Sequence, residues 1–218
     1  MDAFEMLYTT RAMRRLRPEP VPEEVLARLL DAAIRAPTGG NRQTFRFVVV
    51  RDPAAKKRLQ ELYLEGAREL FGSGYGRAAE GAPAEDVARG ERLIASALWL
   101  AEHLHEAPVL VMACIPPQGP RPTLIDGASV YPAVWSLQLA ARALGLGSAL
   151  TTIHRFRDPQ IKELLGIPQA VTTAALVPIG YPQGRWRVAP RRPLSQFVFS
   201  ERWGQEYHPP ASVKLGEP

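Results

Sequence analysis

The sequence predicts an α+β fold, in which buried strands are combined with long amphipathic helices. Three short apolar runs are rich in β-branched residues, as is typical of buried strands. These runs are 45–50, 109–115 and 171–179. Apolar residues also recur at helical spacing, most clearly from Val25 to Ile34. With 218 residues, of which 46% are hydrophobic, the chain is long enough for a large core, and we predict one domain, 1–218.

Proline and acidic residues mark the predicted helix starts. Pro22 is tolerated in a first helical turn, and Glu23 and Glu24 suit the positive N-terminal end of a helix. The dipeptides Asp52-Pro53 and Asp158-Pro159 predict two further starts. These signals place helices on both sides of the predicted strands.

The middle of the chain contains a predicted loop and two more helices. The stretch from Gly72 to Gly90 is small, polar and glycine-rich, which indicates a loop able to act as a lid. A helix is predicted from Glu91 to His105. A long apolar helix follows over Val130 to Leu144, with Pro132 in its first turn, and is typical of a core or a subunit interface. Ser148 to Thr152 is predicted to form a strand at the sheet edge.

Composition argues against several classes of protein. The net charge is +5, but Lys and Arg alternate with Asp and Glu over most of the chain, so we expect no nucleic-acid partner. The single cysteine, Cys114, cannot form an intrachain disulfide. The N-terminus lacks a basic and apolar leader, and no apolar run approaches the ~20 residues of a membrane span. We therefore expect a cytoplasmic protein that does not bind membranes.

A C-terminal extension from residue 182 to 218 is rich in proline, arginine and aromatic residues. Its large aromatic side chains include Trp186, Phe197, Phe199 and Trp203. A tail exposed to water rarely carries so many, because each would remain unburied. We therefore predict that 182–218 wraps a partner subunit.

Four short motifs occur in order along the chain. They are Thr10–Arg14, Ala36–Gln43, Gly145–Ser148 followed by Thr151–Thr152, and Arg191–Leu194. In this order and at this spacing they resemble the flavin-binding segments of the nitroreductase family, and the joint pattern looks most similar to actinobacterial members. The resemblance covers residues 6–194. The chain departs from the family pattern at Ala12, where serine is usual, at Thr44-Phe45, where proline-tryptophan is common, and at Leu150, where an aromatic residue is frequent.

This resemblance implies a central mixed, largely antiparallel sheet flanked by helices, in an intertwined homodimer whose sites are built by two chains. It implies FMN as cofactor, reduced by NADH or NADPH. Electrons then pass to a nitroaromatic, quinone or similar small-molecule acceptor in a ping-pong mechanism. Because the chemistry takes place at FMN N5, no catalytic side chain is expected. The residues assigned to FMN are Arg11, Ala12, Met13, Arg14, Pro37, Thr38, Gly39, Asn41, Gln43, Leu150, Thr151, Thr152, Arg191 and Arg192.

The basic residues in these motifs suit a phosphate. Arg11, Arg14 and one of Arg191 or Arg192 can supply charge-assisted hydrogen bonds to the FMN phosphate. Each arginine taken alone is equally typical of a solvated surface. Together, two small clusters fit one or two phosphates better than a polyanion.

The polar residues in the motifs suit the flavin ring. Asn41 has both a donor and an acceptor, and Thr38 and Gly39 combine small size with backbone N–H groups. The same residues would also form an ordinary turn after a helix. Gln43 either bonds the ring or caps the strand, and the pair Thr151-Thr152 either reaches the ring or simply suits a strand.

Histidine and cysteine give no sign of a metal site. His103 and His105 lack a matching set of Cys, Asp or Glu, and we expect them to be structural or to line a pocket. Cys114 lies in an apolar run and is predicted to be an unreactive core residue.

Two alternative functions remain open. One is a specialised dehydrogenase, dehalogenase or flavin-destroying enzyme on the same fold. The other is a flavin- or deazaflavin-binding sensor or storage protein with little turnover, because phosphate-binding arginines would serve either cofactor.

Overall fold

One sheet organises most of the fold in the computed structural model, which describes residues 1–119, 123–210 and 212–213. The strands in these residues are β1 (Arg46–Val50), β2 (Val109–Ile115), β3 (Gly147–Ser148) and β4 (Thr172–Gly180). They pair in the order β1-β2-β4-β3, and each ladder is antiparallel. An isolated bridge between Ala12 and Ser148 adds a parallel pairing. The predicted mixed, largely antiparallel sheet is confirmed.

The helices occupy the segments between and around the strands. In chain order they are α1 (Ala3–Thr9), α2 (Glu23–Ile34), α3 (Pro53–Gly72), α4 (Ala84–His103), α5 (Leu124–Ala143) and α6 (Asp158–Leu165). The predicted start of α3 is confirmed, because the Asp52 side chain accepts a hydrogen bond from Ala55 N at 2.8 Å. α6 ends at Leu165, and the capping residue Gly166 that follows has a φ of +64°, which suits glycine.

α5 forms the centre of the core. It contacts α2 and also the strands β2, β3 and β4. Val130, Val134 and Leu137 on this helix are fully buried, and buried Ala133 and Ala141 allow close approach. A helix covered by another helix and by a sheet needs apolar residues around most of its circumference, which explains its apolar sequence.

The predicted start of α5 at Val130 was wrong. The helix begins at Leu124, after a capping box in which Thr123 Oγ1 accepts from Asp126 N and the Asp126 carboxylate accepts from Thr123 N. These reciprocal bonds satisfy backbone donors that the first turn leaves free. Pro132 consequently lies inside the helix and not in its first turn.

The predicted loop from Gly72 to Gly90 was too long. Gly72 still belongs to α3, and α4 begins at Ala84, seven residues before the predicted start at Glu91. Glu85 and Asp86 stabilise this first turn through the helix dipole, a signal that the small polar residues around them obscured. Only 73–83 connects the two helices, and a role as a lid stays a prediction.

The chain divides into two compact units. The larger unit, Ala12–Gly184, contains the sheet and the helices α2 to α6. The smaller unit joins Met1–Arg11 to Arg185–Pro218, and Ala189 N donates to Tyr8 O at 3.0 Å within it. Large aromatic residues remain exposed in this unit, most of all Trp203 at 93%. One domain over 1–218, with 182–218 wrapping a partner, stays a prediction.

Candidate functional site

The segment that follows Arg11 is fixed along the edge strand β3. Met13 N donates to Ser148 O at 2.8 Å, and Ala12 pairs with the same residue in a parallel bridge. A Cβ at Gly147 would lie 2.9 Å from Met13 Cβ and 3.0 Å from Leu16 Cδ2. Residues 12–13 of the first motif therefore lie beside residues 147–148 of the third, because glycine permits a close backbone approach.

We expect Gly147→Ala to disturb this contact. The added methyl group has no room, so the segment containing Met13 must shift, which we expect to cost about 1–3 kcal/mol of unfolding free energy. Urea titration measures the loss. Gly72→Ala is the matched control, because this residue is helical and a methyl group added to it would meet nothing within 4 Å. Equal stability of both variants would contradict a close contact between Gly147 and Met13.

Three polar residues meet next to this edge. Thr151 Oγ1 lies 2.7 Å from Tyr63 Oη, and the backbone of Thr151 exchanges hydrogen bonds with Leu176 of β4. Tyr63 is 1% exposed, and burial raises its pKa to about 12, while the nearby Arg14 charge acts in the opposite direction. Two sequence-predicted residues, Arg14 and Thr151, are thus brought to the same buried tyrosine.

Tyr63 was missed as a site residue by the sequence analysis. It lies on the apolar side of α3, where an aromatic residue is typical of a core position. Its hydroxyl group positions Thr151, whereas the neighbouring Leu150 and Thr152 are exposed to solvent. The predicted strand from Ser148 to Thr152 is confirmed only in part: β3 ends at Ser148, and Thr151 pairs again with Leu176 of β4 in an isolated antiparallel bridge.

The Thr38–Gln43 turn has an unusual backbone. Gly40, Asn41 and Gln43 have φ values of +58°, +53° and +49°. This left-handed region favours glycine and tolerates asparagine, but it strains glutamine. Thr38 Oγ1 accepts from Gln43 N at 3.1 Å, and Gln43 Nε2 donates to Asn41 Oδ1 at 3.0 Å. Backbone strain that is held in place by side-chain hydrogen bonds is typical of ligand-binding turns.

The turn presents polar groups to solvent. Pro37, Gly39, Asn41 and Gln43 are exposed, and Thr38 is half-buried. Asn41 Oδ1 accepts a hydrogen bond from Gln43 Nε2, and the Asn41 amide nitrogen is a donor; a contact of Asn41 with the flavin stays a prediction. The Gln43 side chain bonds to Asn41 within the turn and not to the strand, and a bond from Gln43 to the flavin ring stays a prediction.

The remaining predicted phosphate residues lie in the smaller unit. Arg11, Arg191 and Arg192 are exposed. Within this unit, Arg191 donates to Pro190 O at 2.9 Å, and Arg192 lies over the Phe197 ring at 5.6 Å. A cluster with Arg14, which belongs to the larger unit, stays a prediction.

A buried histidine network lies beneath Thr151 and Thr152. His154 is fully buried, and its Nε2 lies 3.1 Å from Thr173 Oγ1. Thr173 donates to Asp158, which also pairs with Lys162 at 2.6 Å. Burial is the main cause that lowers the pKa of His154, to about 4. No sequence pattern indicated this network, because its members are separated along the chain.

A comparison with known families decides the identity. The sequence profile of the nitroreductase family matches residues 7–181. This chain belongs to the nitroreductase family. The matched range contains the predicted flavin residues of this nitroreductase except Arg191 and Arg192.

One relative supports the family of this nitroreductase along most of its length, and two solved structures share its fold. An NADH dehydrogenase from Thermus thermophilus is 33% identical over 210 residues, which cover 91% of this chain and 95% of the relative. A solved iodotyrosine deiodinase bound to FMN and 3-iodo-L-tyrosine has a TM-score of 0.72 at 24% identity, covering 91% of this chain and 98% of that structure. The FMN-dependent nitroreductase NfnB from Mycobacterium smegmatis, solved with NADPH, has a TM-score of 0.67 at 22% identity, covering 92% and 98%.

His103 and Cys114 of this nitroreductase lie in structural surroundings. His103 stacks on Trp99 at 4.1 Å, and its Nδ1 lies 2.8 Å from Trp99 O. Cys114 is buried, which confirms a core position, and burial raises the pKa of its thiol to about 11; low reactivity stays a prediction. Among the residues that the structure describes, no three His, Cys, Asp or Glu side chains are grouped to hold a metal ion.

Proposed function

We propose that this nitroreductase is an FMN-dependent oxidoreductase that passes hydride from NADH or NADPH through FMN to a small-molecule acceptor such as a nitroaromatic or a quinone. The family match over residues 7–181 is the observation that carries this conclusion. The adjacent placement of Arg14 and Thr151 around Tyr63 supports it from the structure.

The polar groups on the chain fit the chemistry of FMN. The phosphate would be held by Arg14 with Arg11, Arg191 and Arg192, because a dianion needs fixed cations. The ring would be held by the turn 37–43, with the Asn41 amide as a donor, and by the 150–152 segment. Ala12 and Met13 would contribute backbone contacts beside β3. When bound, FMN supplies the redox chemistry, and the protein binds and orients it.

We also propose a homodimer, in which α5 supplies part of the interface. Leu124 is 95% exposed and Ile125 is 78% exposed, and Tyr131 and Trp135 continue an exposed apolar stripe along the same helix. Water-exposed apolar residues in such a row are typical of a protein interface.

A cytoplasmic location also stays our prediction. No helix in the described ranges is long and apolar enough to cross a membrane.

We expect Leu124→Glu combined with Trp135→Glu to convert the dimer to a monomer, because two charges would be buried without partners. Light scattering after size-exclusion chromatography measures the mass. Leu93→Glu on α4 is the control, since it also adds a charge at an exposed apolar position. An unchanged dimer in the double variant would contradict this use of α5.

The first experiment is an absorption spectrum of the purified protein, followed by anaerobic addition of NADH or NADPH. A flavin spectrum that bleaches and then recovers with a nitroaromatic or a quinone is the expected result. Recovery with 3-iodo-L-tyrosine and release of iodide would favour a dehalogenase, as the structural similarity to iodotyrosine deiodinase suggests. Bound flavin that does not bleach would favour a sensor. No flavin after incubation with FMN would refute the proposal.

A further inference from the structure

A small cavity lies where α3 begins, and it shares no residue with the proposed flavin site. Its volume is about 260 Å³. Its walls come from the extended segment before α2, from the start of α3 and from the entry to β2. The lining residues are Pro18, Pro20, Val21, Arg51, Lys56, Pro108 and Val109. Three prolines and two valines therefore line the cavity together with two cationic side chains.

Lys56 is buried in this wall, with 9% of its surface exposed. Its Nζ donates to Ala107 O at 2.7 Å, and an ammonium group has three N–H donors. Within the described residues, no carboxylate lies within the 4.0 Å of an ion pair with Lys56. Burial lowers the pKa of Lys56, because the charged form loses its hydration. A buried ammonium next to a neutral carbonyl favours an anion that would compensate its charge.

Arg51 supplies the second positive charge. One guanidinium nitrogen, Nη1, pairs with Glu23 Oε2 at 2.5 Å. A guanidinium has five N–H donors, so this bond leaves others for a ligand. The positive charges also act on His105. Burial lowers the pKa of His105, and the charges of Lys57 and Lys56 lower it further. The carboxylates around the cavity are already engaged: Glu23 pairs with Arg51, Glu19 pairs with Arg17, and Asp52 caps α3.

We propose that this cavity binds a small oxyanion, such as phosphate, between Lys56 and Arg51. Charge-assisted hydrogen bonds from both cations would hold the oxygens of the anion. Cavities that hold drug-sized ligands span about 300–1,000 Å³, so this smaller one suits a single anionic group better than a nucleotide.

The test is the melting temperature of the protein in saturating FMN, titrated with sodium phosphate against sodium chloride at matched ionic strength. We expect the melting temperature to rise and reach a plateau with phosphate, and not with chloride. Lys56→Met keeps the apolar stem and removes the charge, and we expect it to weaken phosphate binding at least about tenfold. Lys57→Met is the matched control, because it removes an exposed positive charge one residue away and should retain the rise.

A second variant keeps the test decisive if Lys56→Met does not fold. Arg51→Gln lies at an exposed position and should also weaken the phosphate effect. Malonate in place of phosphate separates carboxylate from phosphate recognition, and either saturable response supports an oxyanion site. Equal shifts with chloride and phosphate, or an unchanged phosphate effect in both variants, would overturn the proposal. Flavin absorbance is recorded in parallel, so a failure to bind FMN is seen separately.

Discussion

Replacing Arg14 and Arg192 together by glutamine is expected to raise the Kd for FMN by roughly 100-fold or more. A hydrogen bond to a charged group contributes about 1.5–3 kcal/mol, and two such bonds to the phosphate would be lost. Riboflavin, which lacks the phosphate, should bind the variant and the parent protein equally. Quenching of flavin fluorescence measures both affinities.

The control for this double variant must match its change in net charge. Arg28→Gln with Arg68→Gln removes two exposed arginines on α2 and α3, which we do not assign to flavin. We expect this control pair to change the Kd for FMN only slightly and in a salt-dependent way. An unchanged FMN affinity in Arg14→Gln/Arg192→Gln, or an equal loss for riboflavin, would remove our phosphate assignment.

Acidification is expected to destabilise the protein through His154. The unfolded imidazole has a pKa of about 6.5, whereas burial lowers the folded pKa to about 4. Thr173 donates to Asp158, so it accepts from His154 Nε2, and the buried Nδ1 lacks a hydrogen-bond partner among the described residues. A proton on Nδ1 would therefore be buried without an acceptor.

The direction of this effect follows from proton binding. Between the two pKa values the unfolded chain takes up a proton that the folded chain does not, so stability is present above about pH 6.5 and is lost as the pH falls towards about 4. From about pH 7.5 to about pH 5, this single group should reduce the unfolding free energy by roughly 2 kcal/mol.

Urea unfolding at constant protein concentration measures this loss. His154→Gln retains an amide that can donate to Thr173 but does not titrate, so it should lose less stability than the parent protein over this pH range. His208→Gln replaces an exposed histidine and should behave like the parent. Identical pH dependence in His154→Gln and the parent would contradict a neutral, buried His154.

Local sequence patterns were sufficient for much of the fold. Some elements depend on neighbouring residues alone. They are the apolar runs that form β1, β2 and β4, and the start of α3 at Asp52-Pro53. Their period and capping residues were therefore visible in the sequence. The start of α5 was missed because its first turn is exposed, and exposed apolar residues such as Leu124 break the expected pattern.

The sequence by itself determined the family, through short motifs in order, whereas the roles of their residues toward a phosphate and a flavin ring stay predictions. Only the tertiary structure placed Tyr63 against Thr151, joined His154 to Thr173, and buried Lys56 beside Ala107. Each of these contacts joins residues far apart along the chain. The energy of each contact depends on burial and on the position of the distant hydrogen-bond partner. A local sequence pattern contains information on neither.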